Sequence, residues 1–211
     1  MSLQLGASGL TGEASPDEIE RLAREFEAND VVALPRFLDA AFVELVHGLV
    51  DKTELGEFSH PGVGQELGTM TGTLMSALFF ATNDPRLHHF VEQVTRTTPL
   101  KYFQGRIYRM VEVGTYDSWH SDVLGARRVG MSINLSPEPY EGGSLEMKDI
   151  EASDPRLRTI PNVTPGGVLI FRIADRLHHR VTNVVGPRAK TAYAGWFLSE
   201  PSFRDVLVGR I

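Results

Sequence analysis

The chain carries seven histidines, at positions 47, 60, 88, 89, 120, 178 and 179. One of them begins a His120-Ser121-Asp122 tripeptide inside a stretch rich in β-formers. On an extended backbone residues i and i+2 share a face, so this imidazole and this carboxylate can grip one cation together. A third ligand has to come from a distant part of the chain, and His178 or His179, at the start of a late strand, can supply it. Two imidazoles and a carboxylate on one face of an octahedron leave three positions open. That is the ligand set of oxygen-activating non-haem Fe(II) sites. The tripeptide by itself is common, and paired strand histidines ordinarily divide between core and surface. Spacing alone therefore leaves a purely structural role open.

The composition narrows the remaining chemistry. The chain has no cysteine, which excludes disulfides, thiolate nucleophiles, iron–sulfur clusters and Cys-type zinc sites. Its formal charge of −6 gives polyanions no long-range attraction, so neither a nucleic-acid partner nor an anionic membrane surface is expected. The N-terminus lacks a basic region followed by a long apolar run, and no stretch is long enough to span a bilayer. A cytoplasmic protein is expected. With 211 residues, 42% of them hydrophobic, one domain over 1–211 can bury a sizeable core.

The elements that must position those side chains follow from local patterns. Residues 1–14, rich in Gly, Ser and Thr, read as a loose tail. Ser15-Pro16-Asp17-Glu18 is a capping-box helix start, followed by Ile19, Leu22, Ala23 and Phe26 at helical spacing. Val31–Leu34 reads as a short strand. Asp39 can cap a second helix with Phe42, Leu45, Val46 and Leu49 on its inner face, and Asp84-Pro85 opens another through about Thr95. Residues 51–72, with five glycines, read as a mobile loop, and Leu74–Phe80 is an apolar run of uncertain type. From Lys101 on, the texture turns β-rich, with strands near 101–113, 127–135, 143–148, 157–160, 167–173, 178–185 and 189–198. Gly142-Gly143 and Gly166-Gly167 read as tight turns. Helical support over 15–99, then a β-core over 100–200, suits a sandwich or barrel buttressed by helices.

Five blocks in order raise the metal site above chance. Tyr108-Arg109-Met110 and Gly114-Thr115-Tyr116 lead into His120-Ser121-Asp122. Ser132-Ile133-Asn134-Leu135, Glu141-Gly142-Gly143-Ser144-Leu145 and Pro165-Gly166-Gly167-Val168-Leu169-Ile170-Phe171 follow. The last runs from His179-Arg180-Val181 through Val184-Val185-Gly186-Pro187-Arg188 to Trp196-Phe197. In this the sequence resembles the prolyl-hydroxylase-like Fe(II)/2-oxoglutarate dioxygenases, from about Val31 to Leu198.

The resemblance implies a mainly β fold, a cupin-like double-stranded β-helix or jelly roll with N-terminal helices. It implies Fe(II), 2-oxoglutarate and O2 as cofactor and co-substrates, and His179 rather than His178 as the third ligand beside His120 and Asp122. It places Arg188 as anchor for the far carboxylate of 2-oxoglutarate, with Lys190 a weaker substitute, and Tyr108, Leu145 and Asn134 in the same pocket. Asn134 stands where relatives often carry tyrosine. Tyr116, Trp119 and Trp196 are candidate substrate contacts. Residues 55–75 would form a lid. The implied reaction releases succinate and CO2 while hydroxylating an unactivated C–H bond of a small molecule, amino acid or peptidyl residue. Asp122, a carboxylate where related halogenases carry a small residue, favours hydroxylation, desaturation or cyclisation over halogenation. A zinc hydrolase on the same ligands and a non-catalytic jelly-roll binding module are the readings from other classes. Arg106, Arg109, Arg127 and Arg128 could meet an acidic substrate.

Overall fold

The computed structural model of the protein describes residues 2–153 and 157–200. The chain begins with a hairpin, β1 (Gln4–Gly6) and β2 (Gly9–Thr11), rather than a loose tail. Leu3, Leu5 and Leu10 are buried, and the Leu5 amide donates to the Phe37 carbonyl at 2.8 Å. Three leucines with an apolar floor to cover outweigh a loop-like composition.

The first helix, α1 (Pro16–Asn29), starts at the expected capping box: the Glu18 amide donates to Ser15 and the Ser15 amide to Glu18. It buries Leu22, Ala23 and Phe26. Asp39 caps α2 (Ala40–Val50) by accepting from the Phe42 amide at 2.7 Å. The buried face of α2 is Phe42, Val46 and Val50, one turn apart, and Leu45 points outward with 45% of its surface exposed. The apolar run after residue 73 is helical, α3 (Thr73–Thr82), and α4 (Pro85–Thr95) follows its Asp84 cap.

Beyond the β1–β2 hairpin, the strands build two main sheets and one small pair. A large antiparallel sheet runs β3 (Val31–Leu34), β12 (Val168–Arg172), β8 (Arg127–Asn134), β15 (Lys190–Leu198), β6 (Tyr102–Met110), β5 (Gly64–Thr69) and β4 (Gly56–His60), with β7 (Tyr116–Asp117) paired to β5. A small sheet runs β11 (Arg158–Ile160), β10 (Leu145–Asp149) and β13 (Leu177–Val181). β9 (Glu141–Gly142) and β14 (Val184–Val185) form a separate pair. Two sheets facing each other, with helices behind the larger one, make the expected helix-buttressed jelly roll.

The N-terminal region does more than support this core, because β3, β4 and β5 join the large sheet. The segment expected to be a mobile lid is the β4–β5 hairpin, pinned to β6 through Leu67, Gly68 and Thr69. Its glycines and charged residues carry little strand propensity, and the register comes from the neighbouring strand instead.

Alternation along the strands divides the side chains. Phe103, Ile107, Val129, Met131, Ile133, Tyr193 and Phe197 face the helices in the main core. Leu145, Met147, Leu169 and Phe171 fill the space between the sheets. The same inner faces line a cavity of about 270 Å³.

Candidate active site

His120 and His179 are joined through their backbones. Each donates its amide to the other's carbonyl, at 3.0 and 2.9 Å, as an isolated antiparallel bridge. The stretch from β7 to His120 thus pairs with the large sheet at β5 and with the small sheet at β13. The His120-Ser121-Asp122 tripeptide sits on the seam between the sheets, and backbone pairing sets His120 and His179 side by side.

The ligand atoms of His120, Asp122 and His179 all lie within 4.8 Å of one another. His120 Nε2 is 3.7 Å from Asp122 Oδ1, and His179 Nε2 is 3.4 Å from Asp122 Oδ2. The other ring nitrogen of His120 lies 2.7 Å from the Ser118 carbonyl, which can only accept. Nδ1 therefore carries the proton, and Nε2 presents its lone pair to the cavity. Burial pushes the Asp122 carboxyl up. Hydrogen bonds from His179 and Trp196 and the nearby imidazoles more than offset this and hold it at about 2. An ionised carboxylate and two imidazole nitrogens fit a divalent cation, which takes the place of the proton between His179 and Asp122. His178 alternates to the opposite face of β13, opposite Lys148, and is excluded as a ligand.

Asp117 supports the pair. Its Oδ2 accepts the Val181 amide at 2.7 Å on the His179 strand, and its Oδ1 is 3.4 Å from His120 Nδ1. Burial raises its pKa. No sequence pattern singled it out, beyond being a carboxylate three residues before a histidine.

Arg188, expected to anchor a diacid, is not among the residues that line the cavity. Its side chain is 58% exposed, 3.4 Å from Glu138 and donating to the Pro139 carbonyl. It precedes β15, beyond the Gly186-Pro187 turn, so no strand aims it inward. Two residues later Lys190 begins β15 on the inward face shared with Ala194 and Trp196. Lys190 is buried, and its ammonium donates to the Gly143 carbonyl at 2.6 Å. That carbonyl is presented by a turn in which Gly142 and Gly143 have φ of 74° and 63°, and a Cβ at Gly142 would meet the Asn183 carbonyl at 2.0 Å. Burial drags the Lys190 pKa down to about 8, with Asp117 pulling the other way.

Tyr108 and Leu145 line the cavity as expected. The Tyr108 ring lies 5.9 Å from the Lys190 ammonium, and burial drives its hydroxyl pKa upward. Asn134 does not line the cavity: its amide donates to the Val163 carbonyl at 2.7 Å and it accepts from the Ser136 amide, so it holds a turn. Ser132, one step along the same face of β8, lines the cavity instead. Tyr116 and Trp196 also line it. Trp119 does not; it stacks under Lys148 and Arg180, at 4.2 and 4.9 Å. The β4–β5 hairpin adds His60 and Glu66, and Glu66 pairs with Arg106 from β6.

Among the described residues no helix is long and apolar enough to cross a membrane.

Comparison with known proteins agrees with this geometry. The family model of the 2OG-Fe(II) oxygenase superfamily matches residues 103–198. Comparison with curated protein sequences finds no match. Among solved structures, an oxidoreductase of the 2OG-Fe(II) oxygenase family from Burkholderia pseudomallei superposes with a TM-score of 0.70 at 14% identity, covering 94% of this chain and 97% of that one. A prolyl-4-hydroxylase from Pseudomonas putida gives 0.63 at 17% identity, covering 87% and 100%. A non-heme alpha ketoglutarate dependent carbocyclase from nogalamycin biosynthesis gives 0.66 at 14% identity, covering 95% and 94%. At such identities these structures speak for the fold, which is prolyl-hydroxylase-like. The match over residues 103–198 supports a 2OG-Fe(II) oxygenase, a superfamily of oxidoreductases that work with Fe(II), 2-oxoglutarate and dioxygen.

Proposed function

We propose that the protein hydroxylates an unactivated C–H bond of a small molecule, amino acid or peptidyl residue, with release of succinate and CO2. His120, Asp122 and His179 would hold the iron, and Lys190 with Tyr108 would hold the far carboxylate of 2-oxoglutarate. One observation carries the reading: a His-Asp-His cluster within 4.8 Å shares one cavity with a buried ammonium. A buried cation without a bound anion is costly, and a carboxylate is the group that would repay it.

When bound, iron and 2-oxoglutarate supply the dioxygen chemistry that breaks such a bond. The chain's own residues do the rest. The Ser118 carbonyl holds the His120 proton on Nδ1. Trp196, beside Asp122 in the cavity, helps keep that carboxylate ionised. Leu145, Leu169 and Phe171 form a dry wall that keeps water from the centre. Lys190 orients the co-substrate so that its keto-acid end faces the ligands.

Desaturation or cyclisation on the same site is the second reading, favoured by the likeness to a carbocyclase. Product mass separates them: one added oxygen for hydroxylation, two lost hydrogens for the others. The test of the class is anaerobic addition of Fe(II) and 2-oxoglutarate, which should give a visible charge-transfer band, followed by succinate release in air. A protein that gives neither is not this enzyme, and a binding module or a zinc hydrolase would behave that way.

A further inference from the structure

The cavity holds three cationic side chains, and two are accounted for. Arg106 is paired with Glu66 through both its Nε and Nη2. Lys190 donates to Gly143 and, in the proposed function, to the co-substrate. Arg127 is different. Among the described residues its guanidinium donates no hydrogen bond, and the nearest carboxylate oxygen, Oδ1 of Asp122, is 3.9 Å away. That oxygen belongs to the metal-ligand set. Of the other cavity carboxylates, Glu66 is paired with Arg106, and Asp117 is engaged by the Val181 amide and lies beside His120.

Arg127 is nevertheless held in place. Its guanidinium carbon lies over the Trp196 indole, 3.3 Å from the ring centroid. Stacking of this kind fixes the plane of the fork while leaving its edge donors free. Its side chain is 21% exposed, and it lines the cavity next to Asp122. Strand register separates it from Lys190. Arg127 pairs with Leu198 near the end of β15, whereas Lys190 begins that strand. At roughly 3.3 Å per residue, the six steps from Lys190 to Trp196 span about 20 Å. One short diacid held at Lys190 cannot also satisfy Arg127.

We propose that Arg127, stacked on Trp196, binds a carboxylate of the primary substrate, so that the substrate class is a small carboxylic acid. The geometry sets one bidentate donor beside the metal ligands, on the opposite side from the co-substrate anchor. A cation with no carboxylate hydrogen-bonded to it among the described residues matches a monoanionic group. The site rests on the proposed function, since the second cation is assigned to the substrate only if 2-oxoglutarate occupies the first.

The test uses zinc-loaded protein saturated with 2-oxoglutarate, which fills the Lys190 end and forbids turnover. Benzoate, phenylacetate, free amino acids and N-acetyl amino acids are titrated by calorimetry, each beside its primary amide. Trp196 fluorescence in a Trp119→Phe background gives a second readout. Acids are expected to bind about tenfold or more tighter than their amides, the worth of a charge-assisted bidentate contact. Arg127→Gln should erase that preference, and Arg127→Lys should retain part of it. The proposal is overturned if no acid outbinds its amide in the wild-type protein, a comparison that needs no variant to fold. It is equally overturned if the preference survives in a folded Arg127→Gln. Failure of 2-oxoglutarate to bind the zinc-loaded protein would instead refute the proposed function.

Discussion

Lys190 offers the sharpest test of the co-substrate site. In the free protein its pKa falls from 10.5 to about 8 because burial penalises the ammonium. At about 1.4 kcal/mol per unit, the protein spends about 3 kcal/mol to keep that charge at neutral pH. The sign follows: this penalty is fully present below pH 8 and relieved as pH rises from about 8 toward 10.5. Binding a carboxylate needs the charged form. Affinity for 2-oxoglutarate should therefore be level below pH 8 and fall above it, by up to about tenfold per unit. Lys190→Met should weaken binding by about 10- to 100-fold, the worth of a charge-assisted hydrogen bond, and abolish the alkaline fall. The same variant sheds a buried charge but strips the Gly143 carbonyl of its donor, which costs about 1–2 kcal/mol. The free protein should thus be unchanged or up to about 2 kcal/mol more stable. Arg188→Ala, which removes surface contacts to Glu138 and Pro139, should leave affinity within twofold. Calorimetric titration of 2-oxoglutarate into zinc-loaded protein from pH 6.5 to 9.5, with urea melts alongside, reads all of this. Unaltered binding by Lys190→Met, or a large loss with Arg188→Ala, refutes the assignment.

Three further outcomes follow from the site and its support. Asp122→Ala should abolish both the anaerobic charge-transfer band and succinate release, because two imidazoles remain without the anionic ligand. Asp117→Asn keeps an acceptor for the Val181 amide but loses the charge beside His120; metal affinity, read by competition with a chromogenic chelator, should drop about tenfold. Asp30 is nearly buried, and Arg158, Arg172 and Arg176 all donate to it, from 2.7 to 3.0 Å. Burial pushes its carboxyl up and the three guanidinium groups more than offset that, so its pKa is lowered. Its contribution is full above the ordinary carboxylate range and disappears as pH falls through the lowered value. Asp30→Asn tolerates the left-handed backbone there, at φ 57°, and should cost about 2–3 kcal/mol in a urea melt. Metal binding should be untouched by that change.

What the sequence made legible was what strand and helix periods encode. The i to i+2 spacing suggested His120 and Asp122 as a pair, the resemblance chose His179, and the three side chains do converge. The capping box of α1, the Asp caps of α2 and α4, and strands β6, β8, β12 and β15 were legible from local pattern alone. Parity does not reach beyond a strand's ends or override a tertiary hydrogen bond. Arg188 has the parity of Lys190 and Trp196, but it lies before β15 begins, where no strand aims it inward. Asn134 has the right parity, but a turn at residues 163–167 captured its amide, and no local pattern announces a tertiary acceptor. The β4–β5 hairpin was hidden because its strand character is imposed by β6 rather than by its own residues. The N-terminal hairpin was hidden because three leucines gain burial only once the helices exist to receive them.

The way the ligands are held predicts how the protein answers metal removal. His120 and His179 are locked by a reciprocal backbone pair, and Asp117 ties their strands again through Val181. None of these bonds involves the ion. The main core, from Leu22 and Phe26 through Val94 to Phe197, lies between helices and large sheet, away from the ligands. Folding free energy is therefore supplied mainly by surfaces that exist without the metal, unlike small domains whose core is a metal site. Chelation should leave the far-ultraviolet spectrum and the cooperativity of unfolding intact. Adding back zinc at about 100 times its dissociation constant should raise stability by about 2.7 kcal/mol, through mass action alone. If chelator instead melts the β-rich spectrum at room temperature, the seam between the sheets depends on the ion. The preformed site described above would then be a consequence of binding rather than its basis.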